Sequence, residues 1–412
     1  MERVVDVVVV GAGHLGLTTA LGLARAGVEV EVLDTGADER LPWTAVHHWS
    51  VLPGLADLGV LDGLLEAGAT TSTWGLRVLA TGEHLTYDLG DLGGQVRHPY
   101  NLRLEESRLC DTLRAALSRL PSARLTRARE IGSVRQHDDG VTVQVRGDED
   151  DTDAASVDRV VRARWLVAAQ GSSSAVRREL GLGFAGTTWT ERCVVALVEH
   201  DFAAVGYPDT TFQVDGRLGA VVERKDDRLW RYTYQEPLSR PEHAVADRIA
   251  GVLRAATGAD PRVVDWNSAR MHQRSVDSYR SGRVVLVGET AHVTHTMTGH
   301  TSISGWVDAL TLAPVLAEVV REPAAEAVVT AWADERRRVY LDDVVPDSLS
   351  RRNLLTQISD PRRLDIELDQ FRRARTDAAT RREVLLEGRE PEGALFGVPH
   401  VPHDHRNDRR HP

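Results

Sequence analysis

A strand, a glycine loop and a helix near the N-terminus constrain this chain more than any other feature. Val4-Val5-Asp6-Val7-Val8-Val9-Val10 is a nearly unbroken β-branched run, which suits a parallel strand covered on both faces. Gly11-Ala-Gly13-His-Leu-Gly16 follows at once. Leu17 to Ala26 then carries apolar residues at helical spacing, Gly27 closes the helix, and Val28–Leu33 reads as a second strand ending in Asp34. Each glycine has a physical task. Gly11 permits a tight turn, Gly13 lets backbone N–H groups approach a pyrophosphate, and Gly16 lets the helix pack closely on the sheet. The helix N-terminus adds the positive end of its dipole. Asp34, 18 residues beyond Gly16, is positioned to hydrogen-bond a ribose hydroxyl. An acid there disfavours a ribose 2′-phosphate and fits NAD or the adenosine half of FAD.

A second unit of the same grammar lies far downstream. Gly282-Arg-Val-Val-Leu-Val-Gly288-Glu289 is a buried strand ending in glycine and an acid, followed by Thr290-Ala-His292, Gly299 and a helix bearing Gly305-Trp-Val-Asp308-Ala309. Between the two units, Trp165-Leu-Val-Ala-Ala169 is another buried strand, leading to Gln170-Gly171-Ser-Ser-Ser174 and Arg177. The segment Thr187–Tyr234 alternates strands and turns and carries Trp189, Phe202, Tyr207, Phe212, Trp230, Tyr232 and Tyr234. That composition predicts an antiparallel sheet whose aromatic face either packs into a core or roofs an apolar pocket.

With 412 residues the chain is too long for one small core, so two connected domains, or one with a large insertion, are expected. The net charge of −11 argues against nucleic-acid partners. Cys110 and Cys193 have no metal-ligand spacing and read as reduced and structural. No leader pattern and no apolar run of about 20 residues stand out, which predicts a cytoplasmic protein without a membrane partner. His292, His295 and His300 crowd one loop, but no metal site is predicted. The acidic turn 147–153 reads as a solvated hairpin loop, and residues 389–412, rich in His, Pro and Arg, as a disordered tail.

The three motifs, in this order, resemble those of the single-component FAD-dependent aromatic hydroxylases of the p-hydroxybenzoate hydroxylase superfamily. The resemblance covers about residues 1–345 and extends through Ala331-Trp-Ala-Asp-Glu-Arg-Arg-Arg338. It implies an α/β fold, with a discontinuous Rossmann-like FAD-binding domain (1–74, 98–182 and 270–325) and an inserted antiparallel substrate sheet (75–97 and 183–269). C-terminal helices (326–388) complete the expected architecture. It also implies one FAD, held by Gly11, Gly13, Gly16 and Asp34 at the adenosine and pyrophosphate and by Gly288 and Glu289 further along. The 292–305 loop, with Gly299, His300 and Thr301, is expected against the isoalloxazine. Arg40, His48 with its neighbour His47, Glu106 and Gln170 fall at other cofactor-side positions. NAD(P)H is expected as a transient reductant, with O2 giving a flavin C4a-hydroperoxide that hydroxylates or epoxidises an aromatic or polyketide-like small molecule.

The chain departs from the family pattern at several points. Gln170 and Glu289 each stand where the family has Asp, and Glu106 where a Gln or Arg is expected. Thr301 and Ile303 replace a glycine and an asparagine, placing β-branched bulk where positive φ is usual. His295 stands at a substrate-side position, and both an acid/base role and a structural one are open for it. Two other readings also stay open: a flavoprotein oxidase or dehydrogenase of the same fold, and a degenerate, non-redox binding protein.

Overall fold

The valine run folds as the strand Glu2–Val10 in a computed structural model that describes residues 2–36, 46–147, 159–358 and 360–387. Val7, Val8, Val9 and Val10 are fully buried, as a strand covered on both faces requires. Its parallel neighbours are Val30–Asp34 on one side and Arg159–Ala168 on the other. Ala123–Arg127 and Val284–Leu286 extend the parallel array at the two sides. An antiparallel hairpin, Glu130–His137 with Gly140–Arg146, hangs from the first half of Arg159–Ala168. The helix His14–Arg25 covers this sheet with Leu17, Leu21 and Leu23, and the long helix His300–Arg321 packs against it.

Among the described residues a second sheet has eight strands. Their order is His292–Val293, Arg262–Ser275, Ala185–Glu199, Leu229–Pro237, Ala220–Arg224, Thr210–Val214, Thr73–Val78 and Glu83–Asp88. All neighbouring pairs are antiparallel except Thr73–Val78 with Thr210–Val214. Strand alternation sorts the aromatics predicted for this region. Trp230, Tyr232 and Tyr234 share one face and pack with Phe202 and Tyr207 against the helix Val245–Thr257. Trp74 and Phe212 lie on the opposite face, toward the C-terminal helices. Residues 270–275 and His292–Val293, expected in the dinucleotide-binding part, hydrogen-bond into this second sheet instead. Arg262–Ser275 is one long strand that continues past the expected boundary, and it carries its pairing with it.

A small third sheet joins Val46–His47, Asn101–Arg103 and Ala69–Thr71. Helices Ala327–Val339, Val345–Thr356, Pro361–Ala374 and Ala378–Leu386 follow the long helix. Among the described residues, His300–Arg321 is the one helix long and apolar enough to cross a membrane, and 67% of its most apolar window is buried inside the protein. A core helix is apolar for the same reason a spanning one is, so this face meets protein. Arg40, the acidic turn beyond Gly147 and the tail 389–412 lie outside the described residues.

Candidate functional site

Four parallel strands end side by side, and each sequence motif sits at one of their carboxyl ends. Gly11 follows Glu2–Val10, Asp34 closes Val30–Asp34, Gln170 comes just after Arg159–Ala168, and Gly288 comes just after Val284–Leu286. Open α/β sheets bind ligands in the crevice at this edge. Close packing holds the junction. A Cβ on Gly16 would lie 2.0 Å from the Gly11 carbonyl oxygen, and one on Gly11, at φ +109°, would lie 2.4 Å from that of Ala169. Leu15 is wedged between the two distant units: added Cβ atoms on Gly288 and Gly305 would come within 2.2 and 2.7 Å of its Cδ1. Gly13 differs, because a Cβ there meets nothing within 4 Å. It caps the helix His14–Arg25 without a side chain. An open cradle at a helix N-terminus, floored by backbone N–H groups, fits the diphosphate of a dinucleotide.

Glu289 faces the same crevice. Its side chain is open to solvent yet closely surrounded by protein, and its Oε2 lies 3.8 Å from where Gly171 would carry a Cβ. Burial raises its carboxyl above the ordinary range, with His14 pulling the other way. Gln170 has a different task. Its Oε1 accepts from the Ser174 hydroxyl and the Val176 N–H, both at 3.0 Å, capping the short helix Ala175–Glu179. An amide oxygen serves that capping role as a carboxylate would, which accounts for the replacement without a charge. Arg177 ties this segment to the acid turn, donating to the Thr290 carbonyl at 3.0 Å.

The replacement at Glu106 also has a structural partner. His14, the first helical residue of the glycine fingerprint, places Nδ1 2.8 Å from Glu106 Oε1. Burial pushes the Glu106 carboxyl up, but the charge and hydrogen bond of His14 outweigh it and hold the group below its ordinary range. The His14 ring lies 5.0 Å from Trp306, which is 1% exposed. His47 meets the other edge of Trp306 at 5.9 Å and donates from Nε2 to the Leu104 carbonyl. Burial and the nearby His14 lower its pKa to about 4. Sequence reading missed His14 and Trp306. The available signal was a titratable residue inside the fingerprint and an indole two turns into the long helix.

The 292–305 segment is less of a loop than its glycine pattern predicts. The helix begins at His300, directly after Gly299 at φ +77°. Thr301 and Ile303 are therefore helical, and among the described residues no non-glycine residue has positive φ. The expected conflict between β-branched bulk and positive φ does not arise, because the chain winds into helix. Thr301 Oγ1 accepts from the Thr294 N–H at 2.9 Å and fixes the turn. Beneath it lies a fully buried network. Asp308 Oδ2 accepts from the Gly288 N–H (3.0 Å) and from His292 Nε2 (2.8 Å), while Oδ1 accepts from Arg336 Nε (2.8 Å). Despite burial, Arg336 and His292 hold the Asp308 carboxyl below its usual range.

Past Gly299 the crevice opens into a cavity with about 1220 Å³ of empty space including its mouth. Met297, Gly299, Ile303 and Trp306 form one side, and Trp74, Phe212, Val195 and Val221 the other. His48 lies between them; its Nδ1 is 2.8 Å from the Ser50 hydroxyl. Burial, Arg351 and His300 lower the His48 pKa to about 3, so the ring is neutral. A buried ion pair, Arg231 with Glu223, sits in the apolar wall beside Thr210 and Thr233. The C-terminal helices close the far end with Arg351, Val384, Leu385 and Glu387. His300 also lines the cavity and pairs through Nε2 with Asp347.

His295 does not line it. The residue is 1% exposed, both ring nitrogens lack partners, and its ring stands edge-on to Trp189 at 5.5 Å. Burial and Arg352 lower its pKa to about 3. Its NMR ring resonances are expected to stay constant between about pH 5 and 8. A midpoint near the ordinary histidine value would show instead that the ring reaches water. Among the described residues no cluster of His, Cys, Asp and Glu could hold a metal ion.

Comparison with known proteins agrees with this architecture. The family described as "FAD binding domain" matches residues 4–344. A 6-hydroxy-3-succinoylpyridine 3-monooxygenase of Pseudomonas putida is 36% identical over 85% of this chain and 89% of its own length. A para-nitrophenol 4-monooxygenase of a Pseudomonas species is 32% identical over 94% of this chain and 96% of its own. The crystal structure of a p-nitrophenol 4-monooxygenase from Pseudomonas putida superposes with a TM-score of 0.87 at 31% identity, covering 96% of this chain and all of that one. These relatives do not favour a non-redox or oxygen-independent reading. The chain belongs to the FAD-binding domain family, as an FAD-dependent monooxygenase of the aromatic hydroxylase type.

Proposed function

We propose that this enzyme hydroxylates a compact, single-ring phenol or hydroxypyridine, in the cavity between Gly299–Trp306 and the second sheet. The observation that carries this is the cavity itself, an apolar slot with one buried ion pair, closed at its far end by the protein's own C-terminal helices. Similarity supports it, since two relatives that the chain spans to 89% and 96% of their length are named for single-ring substrates, a succinoylpyridine and a nitrophenol. The proposed reaction consumes one ring C–H, O2, NAD(P)H and a proton, and yields the ring hydroxyl, NAD(P)+ and water.

In this proposal Gly11, Gly13, Gly16 and Asp34 hold the adenosine and diphosphate of FAD. Gly288, Glu289, Gln170 and Glu106 flank its middle, and Gly299, His300, Thr301 and His48 flank its ring. FAD, once bound, supplies the electron transfer from NAD(P)H and the activation of O2. The chain's own side chains position the substrate and exclude water. Trp74 and Phe212, edge-on to each other, form an aromatic wall for the substrate ring to pack on, while Thr210, Thr233 and the Arg231–Glu223 pair orient its hydroxyl. Neutral His48, whose Nδ1 accepts from the Ser50 N–H, offers its Nε2–H as a donor without adding charge at the ring. The enzyme is proposed to act in the cytoplasm, with neither nucleic acid nor membrane as partner.

Purified protein, with bound flavin counted first, is expected to oxidise NAD(P)H faster when given one member of a phenol and hydroxypyridine panel. Under 18O2 the product is expected to gain one 18O atom. Stimulated NAD(P)H oxidation that yields only hydrogen peroxide across the panel would exclude this substrate class.

A further inference from the structure

The His14–Glu106 contact joins residues far apart in sequence at the point where two helix N-termini meet the crevice. His14 begins the helix His14–Arg25 and Glu106 begins Glu106–Leu117, so both side chains sit at positive helix ends. A carboxylate is favourable at such an end, but here it is held by the residue that follows Gly13, where a diphosphate would bring further negative charge. Glu289 adds a second carboxyl within electrostatic reach of both residues.

The groups facing His14 come from three elements: Glu106 from its helix, Glu289 from the turn after Val284–Leu286, and His47 from the small sheet. Trp306 packs against the ring without contributing charge. His47 is held neutral by burial. Arg114, on the Glu106 helix, is turned toward Asp111 at 3.0 Å and reaches the fingerprint loop only at the Ala12 carbonyl, 3.5 Å away. Among these groups His14 is the one placed to offset Glu106 directly. Its Nδ1 meets Glu106, and its Nε2 is buried without a partner.

We propose that the His14–Glu106 pair is a charge clamp of the FAD site, in which the imidazole bound to Glu106 offsets its carboxylate and favours the diphosphate, so that FAD affinity falls when His14 is removed and recovers when Glu106 is neutralised with it. Without His14, Glu106 stands as an uncompensated anion near an anionic ligand. The proposal rests on the assignment of the crevice to FAD, which flavin counting tests separately.

The experiment uses flavin-stripped, full-length protein titrated with FAD and followed by flavin fluorescence at one pH near neutrality. His14→Gln is expected to weaken affinity on the order of tenfold, the effect of one uncompensated charge at short range after screening. Glu106→Gln is expected to bind at least as tightly as the parent, and the His14→Gln/Glu106→Gln double variant to regain most of the loss. That recovery separates a charge clamp from a structural contact, for which the two losses would add. Parental affinity in His14→Gln, or additive losses in the double variant, overturns the proposal. If His14→Gln fails to fold, Glu106→Gln decides, and weaker binding than the parent there overturns the proposal. No FAD binding by the parent overturns the crevice assignment, and the clamp with it.

Discussion

Replacing Gly13 with alanine is expected to leave the apo-protein folded and weaken FAD binding by at least about 100-fold, close to 2.7 kcal/mol. The methyl group meets no protein atom within 4 Å, so nothing in the fold resists it. It occupies the space in front of the helix N-terminus where a phosphate must approach the backbone N–H groups. Gly11→Ala is the contrasting variant. There a Cβ would sit 2.4 Å from the Ala169 carbonyl oxygen, at φ +109°, which an L-residue rarely adopts. It is expected to destabilise the apo-protein by about 2–5 kcal/mol through backbone strain and overpacking. Urea unfolding of the stripped proteins and FAD titration of the same samples separate the two effects. Gly13→Ala with reduced apo stability, or with parental FAD affinity, would show that the cradle lies elsewhere.

The second large effect is expected at Asp308. Asp308→Ala leaves the Arg336 guanidinium, the His292 Nε2 and the Gly288 N–H buried without their shared acceptor. Breaking a buried charge pair from one side costs about 3–5 kcal/mol, because the remaining charge has no solvent to turn to. Asp308, His292 and Arg336 are all fully buried, so the upper part of that range applies. The network ties the strand end at Gly288, the motif histidine and a C-terminal helix to one carboxylate, so FAD affinity is expected to fall together with stability. Acid acts on the same carboxylate. Its pKa is depressed in the folded state, so its contribution is complete above the unfolded value near pH 4 and is lost as pH falls through the lower, folded value. A denaturant midpoint for Asp308→Ala within error of the parent would show that the network carries little stability.

Particular residues show how far local pattern reaches. The Val4–Val10 run and the glycines behind it could be read without any tertiary knowledge, since β-branching and the tight turn are properties of neighbouring residues. Leu15, lying between Gly288 and Gly305, could not, since the three come from segments distant in the chain. Thr301 and Ile303 illustrate the reverse error. Their β-branched bulk implied a strained loop, and the backbone avoids the strain by starting its helix at His300. His295 stood at a position that implied contact with substrate, yet its ring turns away from the cavity and toward Trp189. The wall supplied by Val384 and Leu385 could not be read from the sequence, because their helix gives no local sign of what it covers.

Sequence alone therefore determined the elements and their order. These were a parallel αβ array with motifs at its strand ends, an inserted sheet, and a dinucleotide as ligand, because periodicity, turn geometry and helix dipoles act between neighbours. Only the tertiary structure decided the charge balance of the site: Glu106 against His14, Asp308 beneath Gly288, and neutral histidines at positions 47, 48 and 295. Desolvation and Coulomb energy depend on what surrounds a group in space, and those surroundings come from distant parts of the chain.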